Sequence, residues 1–169
     1  MDESKVCCFT GHRLQNLPFQ FREQDERCWR LKQVLCSEIE KQIRENNVKH
    51  FISGMAIGVD MYAAEIVLAL KGKYPDLTLE AAIPCESQSV KWSAQLQKRY
   101  TAILSRCDIK TLLQSQYTSD CMQKRNRYMA ERADIVIAVW NGKPSGTGKT
   151  VSYAKELGKP VVIINPETL

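Results

Sequence analysis

Ile135-Val136-Ile137-Ala138-Val139-Trp140-Asn141-Gly142-Lys143-Pro144-Ser145-Gly146-Thr147-Gly148-Lys149-Thr150 is the stretch on which the fold turns. Its first part is a continuous apolar run with no polar alternation. That pattern suits a strand covered on both faces, which is how parallel sheets are buried. Its second part is rich in glycine and hydroxyl groups, and a helical pattern follows from Val151. A buried strand, a glycine-rich turn and a helix form the repeating unit of an α/β protein.

Working outward, six short runs read as strands, at residues 5–10, 48–53, 77–83, 109–113, 134–140 and 160–165. Segments with helical spacing lie between them. Cys28, Leu31, Leu35, Ile39 and Ile43 fall three or four apart, with Arg30, Lys32, Glu38 and Lys41 on the opposite face. Residues 61–71, 89–105, 121–132 and 151–157 have the same character, and Gly158-Lys159-Pro160 stops the last helix. Repeated strand–helix alternation implies right-handed crossovers. The expected fold is α/β, a Rossmann-like open parallel sheet of about six strands with helices on both faces. One domain spanning residues 1–169 is expected at this length.

The bulk numbers narrow the function classes. A hydrophobic share of 44% and a charged share of 25% are ordinary for a globular protein. No apolar run approaches the roughly 20 residues that cross a bilayer, and the charged start Met1-Asp2-Glu3-Ser4-Lys5 does not read as a secretion signal. We expect a cytoplasmic protein with no membrane partner. The seven cysteines are odd in number and scattered without a Cys-x-x-Cys pair, while His12 and His50 lie far apart. They read as reduced structural thiols, so no metal and no resident cofactor are expected. The net charge of +5 suits attraction of a phosphate-bearing ligand without requiring nucleic acid.

In such a sheet, ligands bind outside the carboxyl ends of the strands, and four loops there hold the unusual residues. Gly11, His12 and Arg13 follow the first strand: a glycine admits close approach, and an arginine can grip a phosphate with two prongs. Ser53, Gly54, Gly58 and Asp60 lie between the second strand and its helix, where backbone amides can hold an anion. Asp60 reads either as a helix cap or as a contact to a ribose hydroxyl. Pro84, Gln88 and Trp92 follow the third strand. There an amide and an aromatic could recognise a base, or Trp92 could pack its helix onto the sheet. Gly142, Ser145, Gly146, Thr147 and Thr150 follow the fifth strand and suit anion binding. This last loop is not a Walker A motif, because Lys143 stands where the first glycine is required. No Gly-x-Gly-x-x-Gly fingerprint follows a strand, so NAD is not indicated. Arg125 and Asn126 lie near the start of the helix before the fifth strand, within reach of the same edge.

Taken together, these loops resemble the SLOG superfamily, a Rossmann-like group that includes DprA/Smf, the lonely-guy phosphoribohydrolases and the YpsA-like proteins. The resemblance covers nearly the whole chain. Thr10-Gly11-His12-Arg13, the Ser-Gly-x-Ala-x-Gly-x-Asp run at residues 53–60 and the group Pro84, Gln88 and Trp92 look closest to the YpsA-like branch. The 53–60 run and Arg125-Asn126-Arg127 also look like their DprA counterparts. The resemblance implies a pocket for a nucleotide or nucleotide-derived small molecule, and it implies self-association into a homo-oligomer.

In the phosphoribohydrolases a Met-x-x-Arg-x-x-x-Met helix and a Gly-Gly-x-Gly-Thr-x-x-Glu loop carry hydrolysis of a nucleoside monophosphate. Met122, Arg125 and Met129 match the helix, and Gly146 and Thr147 match the loop, but Thr150 stands where the glutamate would be. Threonine cannot ionise to stabilise oxocarbenium charge or to activate water. The leading expectation is therefore a binding or sensing domain with no assigned catalytic residue. Nucleotide N-glycosidase activity is the first alternative. DprA-like binding of single-stranded DNA is the second, and the modest charge weighs against it.

Overall fold

Every expected strand forms, and all six join one sheet. The computed structural model describes residues 3–169, so Met1 and Asp2 of the charged lead-in lie outside the described residues. In chain order the elements are β1 (Lys5–Gly11), α1 (Glu26–Asn46), β2 (Val48–Ser53), α2 (Val59–Leu70), β3 (Thr78–Ile83) and α3 (Ala94–Arg106). Then come β4 (Ile109–Leu112), α4 (Cys121–Arg132), β5 (Ile135–Val139), α5 (Gly146–Glu156) and β6 (Val161–Ile164). The strand order is β4-β3-β2-β1-β5-β6, with every neighbouring pair parallel. This is a Rossmann-like α/β fold.

The two faces of the sheet have separate cores. Phe9, Phe51, Leu79 and Ile137 pack with Leu31, Leu35 and Ile39 of α1, Val67 of α2 and Ile103 of α3. On the other face Cys8, Ile52, Ala82 and Val136 meet Met129 and Ala130 of α4 and Ala154 of α5. Cys7 and Cys8 fall on opposite faces, as strand geometry demands. Each fully buried Leu, Ile or Phe here contributes roughly 1.5–3 kcal/mol. Among the described residues no helix is long and apolar enough to cross a membrane.

Helix starts differ most from expectation. α5 begins at Gly146 rather than 151, so half of the expected glycine-rich loop is helix. Ser145 starts it by accepting a hydrogen bond from the Gly148 amide at 3.0 Å. α3 begins at Ala94 rather than 89, where the Ser93 hydroxyl accepts from the Leu96 amide at 3.2 Å. Residues 85–93 before it form turns. In both cases a serine cap sets the boundary, and apolar spacing alone does not show it.

Candidate functional site

Strand order reverses between β1 and β5, which run side by side from Cys7 against Ile135 to Gly11 against Val139. The chain leaves β1 toward α1 on one face and leaves β5 toward α5 on the other. A crevice opens where they part. His12 braces it. Its amide donates to the Val139 carbonyl at 3.3 Å, and its Nε2 accepts from the Asn141 amide at 3.1 Å. That contact needs an unprotonated Nε2, and burial pulls the imidazole below its ordinary value. His12 thus ties the first loop to the last from inside the wall.

The 53–60 loop is held by its own side chains. The Ser53 hydroxyl donates to the Asp60 carbonyl at 2.8 Å and accepts from the Met55 amide at 3.2 Å. Asp60 accepts from the Ala56 amide at 3.3 Å. Gly58 adopts φ +105°, and a Cβ there would sit 3.0 Å from the His12 carbonyl oxygen, so only glycine fits. Gly11 is equally pinned, since its Cβ would strike Val59 at 2.6 Å. Asp60 is buried; burial pushes its carboxyl up and the positive charge of Arg125 counters it.

Arg125 fills the space that Gly54 leaves. A Cβ on Gly54 would come within 2.7 Å of the guanidinium, and Nη1 donates to the Gly54 carbonyl at 2.5 Å. Nε donates to Asn126 Oδ1 at 2.8 Å, Nη1 also reaches Gln88 Oε1 at 3.4 Å, and Nη2 faces the Met122 sulfur at 3.8 Å. Arg125 is only 3% exposed. Among the described residues no carboxylate closes a salt bridge with it. A buried cation without a direct ion pair is costly; burial pulls its pKa down, and the nearby Asp60 carboxylate opposes that only in part.

The guanidinium borders a cleft of about 470 Å³ between the β1 loop and the starts of α4 and α5. Arg13, Arg125, Asn126, Gly146 and Thr147 come together in its walls. Gly146 and Thr147 stand in the first turn of α5, where amides lack intrahelical acceptors and the helix dipole is positive. Asp120 and Lys149 also face this cleft, and sequence reasoning did not single them out. Asp120 directly precedes α4, and its place at the helix start was the available signal. A neighbouring cavity of about 550 Å³ is lined by Gln88, Trp92, Tyr117 and Met122, and Met122 borders both. The Gln88 Nε2 is buried there without an acceptor.

The remaining candidates serve the scaffold or lie elsewhere. Gly11, His12, Ser53, Gly54 and Asp60 stand behind the wall, Pro84 is buried at the end of β3, and Gly58 borders a groove on the α2–α3 side. Trp92 packs edge-on against Tyr100, with ring centroids 5.2 Å apart. The Thr150 hydroxyl donates back to the Gly146 carbonyl at 3.1 Å, so the position of the expected glutamate is occupied by a group bound to its own helix. Gly142 and Ser145 border the α4–α5 groove instead of the cleft.

Comparison with known proteins gives a consistent picture. The profile of the YspA SLOG family matches residues 7–168. The SPbeta prophage-derived protein YoqJ of Bacillus subtilis (strain 168) is 31% identical over 152 residues, covering 82% of this chain and 89% of YoqJ. A UPF0398 protein of Bacillus licheniformis is 29% identical over 167 residues, covering 95% of this chain and 81% of its own. Among solved structures, DNA processing protein A from Helicobacter pylori superposes with a TM-score of 0.63 at 19% identity. That match covers 95% of this chain and 65% of the H. pylori protein.

Proposed function

This chain belongs to the YspA SLOG family, and from that premise we propose that it binds a nucleotide or nucleotide-derived small molecule in the cleft between β1, α4 and α5. The observation that carries the reading is Arg125, a buried cation at the cleft wall whose hydrogen-bond partners are all neutral. A phosphate seated against it would give it the direct ion pair that none of those partners provides. The Gly146 and Thr147 amides and the exposed Arg13 add donors on the same side. The neighbouring cavity beside Gln88 offers a place for the base. Gln88, Tyr117 and Trp92 line it, the two aromatics as apolar walls. The protein works as a sensing domain, located in the cytoplasm.

Calorimetric titration with the common ribonucleoside 5′-monophosphates tests this. Gly146→Glu is the informative variant, because nothing lies within 4 Å of a Cβ there and the new carboxylate occupies the phosphate position. Saturable binding by the parent protein and its loss in a folded Gly146→Glu variant are expected. Unchanged binding in that variant rejects the site.

Asp120 favours keeping hydrolysis as a second reading, since its carboxylate faces the cleft that Thr150 does not serve. Chromatography of the same samples for free base decides it; no released base over a day of bound substrate rejects turnover. The H. pylori neighbour binds single-stranded DNA by its own description. A salt-sensitive gel shift is the corresponding check here.

A further inference from the structure

A second cavity of about 470 Å³ lies in the groove between α4 and α5, walled by Arg127, Trp140, Ser145, Gly148, Ser152 and Tyr153. Gln123, Asn126 and Lys149 line both this cavity and the cleft beside Arg125. The two are therefore compartments of one trench, and the first turn of α5 is the sill between them. Gly146 and Thr147 border one side, and Ser145 and Gly148 border the other. The anion-binding amides consequently sit midway along the trench and not at a closed end.

The second compartment has the walls a planar polar group needs. The Arg127 guanidinium lies 5.3 Å from the Tyr153 ring centroid, giving a stacked surface. Trp140 is held in place on two sides. Its Nε1 donates to the Lys143 carbonyl at 2.7 Å, and Gly148 packs so closely that a Cβ would come within 3.1 Å of the indole. Lys149 stands at the junction, where a bridging phosphate would pass.

A terminal phosphate monoester fills only one compartment. We propose that the ligand is a dinucleotide, with a phosphodiester or pyrophosphate over the α5 sill and its second ring in the α4–α5 groove against Tyr153 and Trp140. The proposal rests on the reading of the cleft as a phosphate site. It changes the ligand class from a mononucleotide to a molecule with substituents on both sides of its phosphate.

The test is calorimetry with three probes in adenine and guanine forms: the 5′-monophosphate, the 5′-phosphorylated 3′,5′-linked dinucleotide, and the 5′,5′-pyrophosphate-linked dinucleoside. Ser152→Trp plugs the groove from an exposed helix position without touching the core, and Tyr153→Ala removes one wall. At least one dinucleotide should bind tenfold or more tighter than the monophosphate, and the better one identifies the linkage. Ser152→Trp should remove that advantage and leave monophosphate affinity within twofold. Monophosphate binding with no gain from either dinucleotide, or a gain that survives both variants, overturns the proposal and leaves the cleft assignment standing. Failure of all three probes overturns both.

Discussion

Arg125 and Tyr128 lie one turn apart on α4, and each reaches a different polar region. Tyr128 donates to the buried carboxylate of Glu80 at 2.6 Å, and that carboxylate also meets Thr111 Oγ1 at 2.8 Å and His50 Nε2 at 2.8 Å. Burial pushes the Glu80 carboxyl up, but its three partners outweigh burial and hold it at about 2. Arg125 is as deeply buried, yet its partners are a carbonyl, two amide oxygens and a sulfur. One region closes on itself under the sheet edge, with three side chains meeting one carboxylate. The other has no carboxylate in direct contact with its guanidinium and borders a cleft. The first arrangement is what a structural cluster looks like, and the second is what the proposed anion site requires.

Three variants and a pH series press on that contrast. The largest effect is expected from Glu80→Gln, which leaves a buried donor of the cluster unpaired and should cost about 2–3 kcal/mol of stability. Nucleotide affinity should stay unchanged, and a chemical-denaturation curve alongside a titration reads both. Acidification should mimic the change. The folded Glu80 value lies below the ordinary 4.5, so its contribution is present above that value and is lost as pH falls toward about 2. A denaturation midpoint that is flat across this window, or that rises with acid, contradicts the assignment.

Arg125→Gln should do the reverse. It removes a charge that makes no direct ion pair but does offset burial of Asp60, so stability should fall by less than in Glu80→Gln, whereas affinity for a phosphate ligand should fall at least about tenfold. A loss of stability as large as that of Glu80→Gln would make Arg125 structural and break the comparison. The smallest effect belongs to Ser145→Ala. Loss of the cap on Gly148 should cost about 1 kcal/mol and weaken binding only through fraying of the first α5 turn. Hydrogen exchange at residues 146–149 reads that directly.

Much of the fold was legible in the chain because its signals are local. Apolar runs such as Ile135-Val136-Ile137-Ala138-Val139 cannot be exposed on either side, so they announce covered parallel strands. The glycine-rich loops likewise lie at the carboxyl edge of the sheet, where strand–loop–helix order puts them. Their roles were less legible. Gly54 makes room for Arg125, the Ser145 and Thr150 hydroxyls bind their own helix, and neither role shows in the sequence. A small residue required by a ligand and one required by a neighbouring side chain are identical in a sequence.

What the sequence determined by itself, then, was periodicity and punctuation: which segments are strands and helices, and at which ends the polar and glycine-rich residues collect. These follow from hydrophobic spacing and turn chemistry within a few residues. Tertiary structure alone decided that Arg125 of α4 lies against Gly54 after β2, 71 residues away. It alone joined His12 to Asn141, and brought Asp120 and Lys149 to the same cleft as Arg13. The reason is physical: charge balance and cleft shape belong to groups brought together by the β1–β5 reversal, and no local propensity encodes a contact across that distance.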